Sequence, residues 1–280
     1  MAKHKFNKIL ITGASTGIGR QLALDYGKAG AKLWLLARSE QKLKTLAVDI
    51  HASGGEAHLL VCDATIEKDL LAALNTAQVD SLGFDLVIAN AGVAGKMSYP
   101  GENNIEVLNR VIDLNFRAAS QTLEFFARYM LEARAGHLVG VSSIAGFRGV
   151  PSAAAYSATK AALISYLESL RFSVQSFGIN VTDIRPGWVR TPLTAQNNYP
   201  MPFLMDIDLA SYKIRRALDR GRKRFTFPWQ MAILVHIMKA MPDFLFDWLG
   251  LKLYGKQAVL GRNAKFPENT LSQRADRETP

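Results

Sequence analysis

The sequence of 280 residues contains a single cysteine, Cys62, so no disulfide bond can form within the chain. A disulfide-stapled secreted scaffold is therefore excluded, and a reducing compartment is the expected environment. The five histidines share no metal-ligand spacing, and the HExxH pattern does not occur. We therefore predict no metal site and interpret Cys62 as a small apolar residue.

Long apolar runs are also missing. The longest uncharged apolar stretch spans residues 225–238, which is shorter than the about 20 residues of a membrane-spanning helix. The basic N-terminus leads into a short apolar segment and then into glycines, which indicates a first strand rather than a signal peptide. We therefore expect a cytoplasmic protein without a transmembrane segment.

Composition and charge set the class of protein. Hydrophobic residues make up 49% of the chain and charged residues 21%, which is typical of a globular protein with a substantial core. The net charge of +10 favours a phosphorylated ligand or acidic lipid as partner. Because no zinc-finger spacing, RNP motif or heptad array accompanies this charge, we predict no nucleic-acid partner.

A glycine-rich loop lies near the N-terminus. Residues 8–12 (KILIT) predict a strand, GASTGIG follows at 13–19, and a helical pattern begins at Arg20. Small residues let the backbone approach a pyrophosphate, and the helix N-terminus favours its charge. The spacing is GxxxGxG rather than GxGxxG, so the strand-to-helix context is what favours phosphate binding over a tight turn. The candidate binding residues are Gly13, Ser15, Thr16, Gly17, Ile18 and Gly19.

Apolar strands alternate with helical patterns along the rest of the chain. Because each strand is almost wholly apolar, the alternation predicts an α/β protein with a parallel sheet covered on both faces. The predicted strands lie at 8–12, 31–36, 57–61, 86–89, 138–141 and 179–184, and the predicted helices at 20–29, 39–53, 66–80, 103–134 and 156–177.

The residues after the second and third strands bear on the cofactor. Where a strict NAD binder often places an acid, this chain has Arg38, and a guanidinium suits a 2′-phosphate. The position favours NADP, although Arg38 could also be a solvated loop residue. Asp63 follows the third strand and could accept a hydrogen bond from an adenine amino group.

The stretch 142–160, SSIAGFRGVPSAAAYSATK, carries the candidate chemistry. Tyr156 and Lys160 are four residues apart and share one helix face. Ser143 follows a strand, and the loop with Gly146, Gly149 and Pro151 can bring its hydroxyl back to the phenol. A tyrosine has a pKa of about 10, and lowering it by ~2 units takes ~2.7 kcal/mol from a neighbouring charge. The alternative is an ordinary Tyr–Lys pair on a solvated helix.

These motifs occur in the order and at the spacing of a known family. Over residues 6 to 195, the chain resembles a short-chain dehydrogenase/reductase of the ordinary single-domain type. The resemblance implies a doubly wound parallel sheet, the Rossmann fold, of about seven strands. It rests on Thr12-Gly13-xxx-Gly17-x-Gly19, Asp63, Asn90-Ala91-Gly92, Asn115, Ser143, Tyr156-xxx-Lys160 and Pro186-Gly187 with Thr191.

The resemblance also implies roles for these residues. Tyr156 would be the acid/base, and Lys160 would bind the nicotinamide ribose and lower the pKa of the phenol. Ser143 would orient the substrate carbonyl, and Asn115 would support a relay water, although its amide alone could equally be a helix-packing group. Asn90 and Gly92 would line the adenosine ribose, and Pro186, Val189 and Thr191 would lie at the carboxamide. Ala89 departs from the family, which often has a second Asn there.

The predicted function is that of an NADP-dependent oxidoreductase, which would interconvert a carbonyl and a secondary alcohol. The alternative is a non-catalytic NADP-sensing or scaffold protein, although such a protein would be expected to lose Tyr156 or Lys160. A hydrolase needs a GxSxG elbow, and the sequence Gly140-Val141-Ser142-Ser143-Ile144 fails at the last position.

The C-terminal part is assigned as an extension of the same domain. We place the cofactor-binding and catalytic core at 1–195, and a substrate lid with C-terminal helices at 196–280. The lid would lie within 195–211, before a basic segment at 213–224 and an apolar tail. Peripheral membrane contact through 213–254 is one interpretation. The other is a solvated basic loop, then two helices around Pro242 that cover the core or a dimer interface. We expect a lipophilic substrate and a homodimer or homotetramer.

Overall fold

The computed structural model describes residues 6–95, 104–150, 153–197 and 200–261, with side chains described as far as residue 252. Within these residues a single seven-stranded sheet forms in the order β3-β2-β1-β4-β5-β6-β7, and every neighbouring pair is parallel. The strands are β1 (Lys8–Thr12), β2 (Lys32–Ala37), β3 (Glu56–Val61), β4 (Leu86–Ala89), β5 (Gly136–Val141), β6 (Ile179–Pro186) and β7 (Arg224–Phe227).

Helices connect the strands and cover both faces of the sheet. A parallel pair of strands needs such a crossover, since a short hairpin cannot return the chain to the same edge. The helices are α1 (Gly17–Gly27), α2 (Glu40–Ala52), α3 (Glu67–Ser81), α4 (Ile105–Ile112), α5 (Ala118–Ala133), α6 (Ala154–Val174), α7 (Ile207–Asp219), α8 (Trp229–Ala240) and α9 (Asp243–Gly261).

The sheet has two hydrophobic layers because successive side chains of a strand point to opposite faces. On β1, Ile9 and Ile11 pack into the layer under α1, α2 and α7, whereas Leu10 packs into the layer under α3, α5 and α6. Both faces of the central strands are therefore buried, which explains their near-continuous apolar sequences. The predicted α/β doubly wound sheet, in one domain with C-terminal helices, is confirmed.

The sheet extends past the residue at which the predicted core ends. α7 packs against the same core as α1 through Ile214 and Leu218, and β7 adds Phe227 to it. The basic segment at 213–224 is therefore not a loop, since it forms most of α7 and leads into β7. Residues 207–211, the last part of the predicted lid, belong to α7 as well; Asn198 and Tyr199 lie outside the described residues.

The helical pattern predicted at 103–134 has a defect in its middle. A π-helical turn at Asp113–Arg117 separates α4 from α5 and carries the fully buried Asn115. Such single-turn bulges are frequent at functional sites. Residue 103 itself lies outside the described residues.

The two helices predicted around Pro242 are α8 and α9. One face of α8 packs through Met231 and Val235 against Ile144 and Phe147, in the loop that follows β5. Within the described part of the chain, no helix is both long and apolar enough to cross a membrane.

Close packing between β5 and α6 depends on Gly140. A Cβ atom at this position would lie 2.5 Å from Cδ1 of the buried Leu167 on α6. We expect Gly140→Ala to lower the free energy of unfolding by about 1–3 kcal/mol, because the core must shift to admit a methyl group. Urea denaturation measures this loss.

A double variant tests the cause of that loss. Leu167→Ala alone should cost about 2–5 kcal/mol, and the Gly140→Ala methyl should partly fill its cavity, so the double variant should be more stable than the sum predicts. Gly250→Ala is the control, because its Cβ would meet nothing within 4 Å. Wild-type stability of Gly140→Ala would contradict the packing argument.

Candidate active site

The predicted site residues lie along one edge of the sheet. In a parallel sheet the carboxyl ends of all strands share an edge, and ligands bind there where the strand order reverses. In this sheet the reversal lies between β1 and β4. The residues that follow these carboxyl ends are Asp63 after β3, Arg38 after β2, Gly13 to Gly19 after β1, Asn90 and Gly92 after β4, Ser143 after β5, and Val189 and Thr191 after β6.

The glycine loop after β1 leaves no room for side chains at two positions. Gly13 has a φ of +66°, and a Cβ there would lie 2.7 Å from the Cα of Ala91. A Cβ on Gly19 would lie 2.5 Å from the carbonyl oxygen of Gly13. α1 begins at Gly17 with no acidic residue in its first turn. The unneutralised helix N-terminus and the bare backbone fit the pyrophosphate of a dinucleotide.

Asn90 braces this loop from the neighbouring strand. Its side-chain amide donates to the carbonyl oxygens of Thr12 at 3.0 Å and Gly13 at 3.3 Å. The hydroxyl of Thr12 in turn accepts from the backbone N–H groups of Asn90 and Ala91. The loops after β1 and β4 are therefore fixed to each other at the reversal point.

Arg38 and Asp63 form an ion pair at the far end of the edge. The guanidinium nitrogen lies 3.5 Å from the carboxylate, and the Arg38 side chain is 60% exposed. Burial acts to raise the pKa of Asp63, but hydrogen bonds from Thr65 and the charge of Arg38 outweigh it and lower the pKa. Arg38 is thus solvent-accessible and lies close to Asp63, the residue predicted to bind the adenine amino group.

Asn115 clamps the loop after β4. Its Oδ1 accepts from the backbone N–H of Val93 at 2.8 Å, and its Nδ2 donates to the Val93 carbonyl at 2.9 Å. Nδ2 also lies 3.4 Å from the hydroxyl of Thr159 on α6. The amide is therefore a helix-packing and loop-holding group, one of the two interpretations that its sequence position allowed.

Lys160 is buried between three parts of the site. Its Nζ donates to the Val141 carbonyl at 2.8 Å and lies 5.7 Å from the ring centroid of Tyr156. A Cβ on Gly92 would lie 3.5 Å from the same nitrogen. Burial lowers the pKa of Lys160 to about 8, and the opposing charge of Asp183 acts to raise it.

The loop after β5 lies against α6. A Cβ at Gly146 would lie 2.8 Å from the carbonyl carbon of Lys160, so this glycine lets the loop lie directly on the helix. Ser143 caps the short 3₁₀ turn Ile144–Gly146 by accepting from the N–H of Ala145. Pro151 lies outside the described residues.

The segment after β6 meets the glycine loop. Pro186 is the last residue of β6, and Thr191 lies beside Gly17, where an added Cβ would be 3.6 Å from its methyl group. Val189 is buried, and its carbonyl accepts from the Thr194 hydroxyl at 2.6 Å. The segment is placed to face the same ligand as the loop after β1.

Two groups of residues beside the site were missed in the sequence. Asp183 and Arg185 form a buried ion pair on β6, and Ser142 donates to the same carboxylate. The signal was present, since two charged residues, Asp183 and Arg185, alternate in a strand that is largely buried. Arg148 was missed because its partners lie far along the chain.

Arg148 joins the loop after β5 to the turn between α8 and α9. It donates to the Met238 carbonyl at 3.2 Å and the Met241 carbonyl at 2.5 Å, and it pairs with Asp243 at 2.8 Å. Its guanidinium also lies 4.6 Å from the ring centroid of Phe246. The C-terminal helices are thereby attached to the segment that carries Ser143.

The fold and the site together define a class. A doubly wound parallel sheet with a glycine cradle and a helix N-terminus at its reversal point is a dinucleotide-binding protein of the Rossmann type. The family model described as short chain dehydrogenase matches residues 7–201, and the chain belongs to this family. The resemblance found in the sequence is thereby confirmed, and this family is one that binds a nicotinamide cofactor.

Two relatives support the assignment. An uncharacterized oxidoreductase of Myxococcus xanthus is 39% identical over 250 residues, which cover 88% of this chain and 97% of the relative. An uncharacterized oxidoreductase of Mycobacterium tuberculosis is 31% identical over 242 residues, which cover 85% and 95%. The chain is accordingly an oxidoreductase of this family.

Solved structures show the same fold. A short-chain dehydrogenase from Sphingobium yanoikuyae, in complex with NADPH, has a TM-score of 0.73 at 24% identity, covering 95% of this chain and 99% of that one. A 3-oxoacyl-(acyl-carrier protein) reductase from Brucella melitensis has a TM-score of 0.70 at 25% identity, covering 80% and 91%.

Proposed function

We propose that the protein is an NADP-dependent oxidoreductase that interconverts a carbonyl and a secondary alcohol. The observation that carries this proposal is the position of the Lys160 ammonium, between the end of β5 and the ring of Tyr156. An ammonium so placed favours the phenolate form of the tyrosine. Ser143 lies two residues after Val141 and caps the 3₁₀ turn that follows β5. Phenol, ammonium and hydroxyl are the groups that a proton transfer to a carbonyl oxygen needs.

In this mechanism the nicotinamide supplies or accepts the hydride when the cofactor is bound. Ser143 donates a hydrogen bond to the substrate oxygen, and Tyr156 gives that oxygen its proton in reduction or removes it in oxidation. Lys160 remains charged and stabilises the phenolate that reduction leaves behind. Asn115 holds the loop after β4 in place, and support of a relay water would be its second role.

The cofactor residues divide along the carboxyl edge of the sheet. The loop Gly13, Ser15, Thr16, Gly17, Ile18 and Gly19 would hold the pyrophosphate. The backbone of Asn90 and Gly92 would line the adenosine ribose, because the Asn90 amide is already bonded within the protein. Asp63 would receive the adenine, and Pro186, Val189 and Thr191 would contact the carboxamide.

The preference for NADP is supported by the residue after β2. The Arg38 side chain is exposed at this position, and its guanidinium already pairs with one anion, the carboxylate of Asp63. The structural neighbour from Sphingobium yanoikuyae contains NADPH, which agrees with this choice. A non-catalytic NADP-sensing or scaffold protein is the alternative, and the retained Tyr156–Lys160 pair favours the enzyme.

The substrate is proposed to be lipophilic, with the oxidoreductase acting at a membrane surface. α8 covers the loop after Ser143 with one face, and large apolar residues are exposed on its other face and on α9. Lys239 and Lys252 lie among them, and the net charge of +10 complements acidic lipid. The exposed residues are Trp229, Ile233, Leu234, Ile237, Phe244, Leu245, Trp248 and Leu251.

We restrict the segment proposed for this contact. The basic residues at 220–223 precede β7 and Arg224 begins it, whereas α8 begins after the strand, so about 13 Å of strand separates these residues from α8. The proposed membrane contact is therefore made by 229–252 rather than by the whole of 213–254. We keep a homodimer or homotetramer as the proposed assembly.

Tyr156→Phe tests the proton transfer. We expect kcat for reduction of a lipophilic ketone to fall by about 10²–10⁴-fold, because the acid is lost while the ring remains. NADPH should still quench tryptophan fluorescence with nearly the wild-type Kd. Tyr129→Phe on α5 is the matched control and should keep full activity. Normal turnover by Tyr156→Phe would refute the assigned role.

Arg38→Ala tests the cofactor preference. Loss of a charged hydrogen bond to the 2′-phosphate should raise the Kd for NADPH by about 10–100-fold, corresponding to roughly 1.5–3 kcal/mol. The Kd for NADH should change by less than about threefold, which corresponds to roughly 0.7 kcal/mol. Fluorescence titration measures both, and Arg128→Ala is the control. An equal loss for the two cofactors would make Arg38 an ordinary loop residue.

Co-sedimentation with vesicles tests the proposed membrane contact. The protein should bind vesicles that contain phosphatidylserine, and a Trp229→Ala/Trp248→Ala variant should bind at least tenfold more weakly, because two interfacial anchors are lost. The control Val79→Ala/Phe172→Ala removes two exposed apolar residues elsewhere. Absence of vesicle binding by the wild-type protein would refute the membrane contact. A tryptophan variant whose only change is a smaller oligomer would show that the face contacts another subunit.

A further inference from the structure

Asp183 is a carboxylate at the centre of three buried cations. It lies on β6 with no exposed surface, and Arg185 donates to it through Nε at 2.6 Å. The charges of Arg171 and Lys160, both on α6, interact with it as well. All three cationic residues are buried, with at most 6% of their surface exposed. One anion therefore faces three positive groups in a region with little water.

The same carboxylate is tied to the segment that enters the catalytic loop. The Ser142 hydroxyl donates to Oδ1 of Asp183, and the Ser142 backbone N–H donates to the Ile184 carbonyl at 2.8 Å. Ser143 is the next residue. Val141, the preceding residue, provides the carbonyl that holds the Lys160 ammonium. Asp183 is thus connected to both halves of the proposed proton-transfer site.

We propose that Asp183 is a positioning residue, which anchors the Ser142–Ser143 segment and provides the negative charge that holds the Lys160 ammonium at the end of β5. This inference rests on the proposed function for its catalytic consequence, although its effect on Lys160 can be measured without any turnover. Asp183 would contact neither substrate nor cofactor and would act through Ser142 and Lys160.

Stability alone does not account for this arrangement. A buried ion pair is often no more stable than apolar residues of the same volume, so its retention in a strand core points to another use. Burial raises the pKa of Asp183, and Arg185, Ser142 and Arg171 act to lower it. These three residues thus stabilise the charged form of the carboxylate against the cost of burial.

The charges around Lys160 determine the sign of the effect. Tyr156 faces it from its own helix and Asp183 from β6, while the groups nearest from the loop after β4 and the π turn are the neutral Gly92 and Asn115. Without the carboxylate, Lys160 would lose the attraction that acts to raise its pKa, while the lowering by burial would remain. Lys160 would then lose its proton at lower pH.

The pH dependence follows from the pKa of Lys160. Burial lowers this pKa to about 8, so the ammonium is present below that pH and is lost as the pH rises through it. Because the ammonium stabilises the phenolate, kcat for reduction should decline as the pH rises through the pKa of Lys160, which forms the basic limb of the pH–rate profile. Removal of the Asp183 charge should move the limb to lower pH by about one unit.

The experiment measures the titration of Lys160 directly. Protein with ¹³Cε-labelled lysine gives the Lys160 resonance by NMR, assigned by its disappearance in Lys160→Arg. Asp183→Asn should lower the midpoint of this titration by about one pH unit, and kcat measured against pH should follow it. Any loss of kcat that remains at pH 6, where Lys160 is still charged, measures the weaker anchoring of the Ser142–Ser143 segment.

A second variant guards against failure to fold. Asp183→Asn leaves Arg185 buried without its partner, which is strongly destabilising. Asp183→Asn/Arg185→Gln removes both charges of the pair and should fold more readily, and its Lys160 midpoint should also fall, since the anion is absent. In Ser142→Ala the carboxylate keeps its charge, so the midpoint should stay near the wild-type value while kcat falls at every pH.

Asp25 offers a matched control on the opposite side of the sheet. It accepts from the Ser211 hydroxyl at 2.7 Å and pairs with Arg215 at 3.3 Å, so it has the same kinds of partner between α1 and α7. Asp25→Asn should destabilise the fold without moving the Lys160 midpoint.

The outcomes separate the two proposals. A wild-type Lys160 midpoint in both Asp183 variants would overturn the positioning role and leave Asp183 as a structural residue. A lowered midpoint supports that role even if wild-type protein reduces no carbonyl. Such absence of turnover, with intact NADPH binding, would refute the proposed function alone.

Discussion

The close approach of α6 to the end of β5 is the contact on which the rest of the site depends. Gly140 and Gly146 have no side chain at the places where strand and loop meet the helix, and any Cβ there would collide with it. That proximity lets Lys160 reach the Val141 carbonyl. A longer distance would leave an ammonium buried without its acceptor, at a cost of several kcal/mol.

The cofactor side of the crevice is built by the same means. Gly13 lies against Ala91 and Gly19 lies against Gly13, so backbone meets backbone where β1 and β4 diverge. Asn90 then satisfies two carbonyl groups that the sharp turn would leave unpaired. The glycines thus allow the two backbones to approach, and the side-chain amide of Asn90 provides the hydrogen bonds. Asn115 bonds the backbone N–H and carbonyl of Val93 in the same way.

The sequence was most informative where a residue pattern is local. Apolar strands alternating with helices predicted the sheet and six of its strands, and the helix turn between Tyr156 and Lys160 predicted their shared face. β7 was missed because the alternation of its four residues, Arg-Phe-Thr-Phe, is too short to stand out between a basic segment and an apolar run. The partners of Asn115 and Arg148 depend on contacts 22 residues and 90 or more residues away, which no local period encodes.

Arg148 has a consequence for how this protein could diverge from its relatives. The three groups that its guanidinium bonds lie in the last turn of α8, in the turn that follows it and at the start of α9, all beyond residue 201, where the family match ends. The shape of the loop after β5, which carries Ser143, is therefore set in part by a region that the family model does not cover. Substitutions there could retune selectivity over generations while every residue that handles the proton stays unchanged.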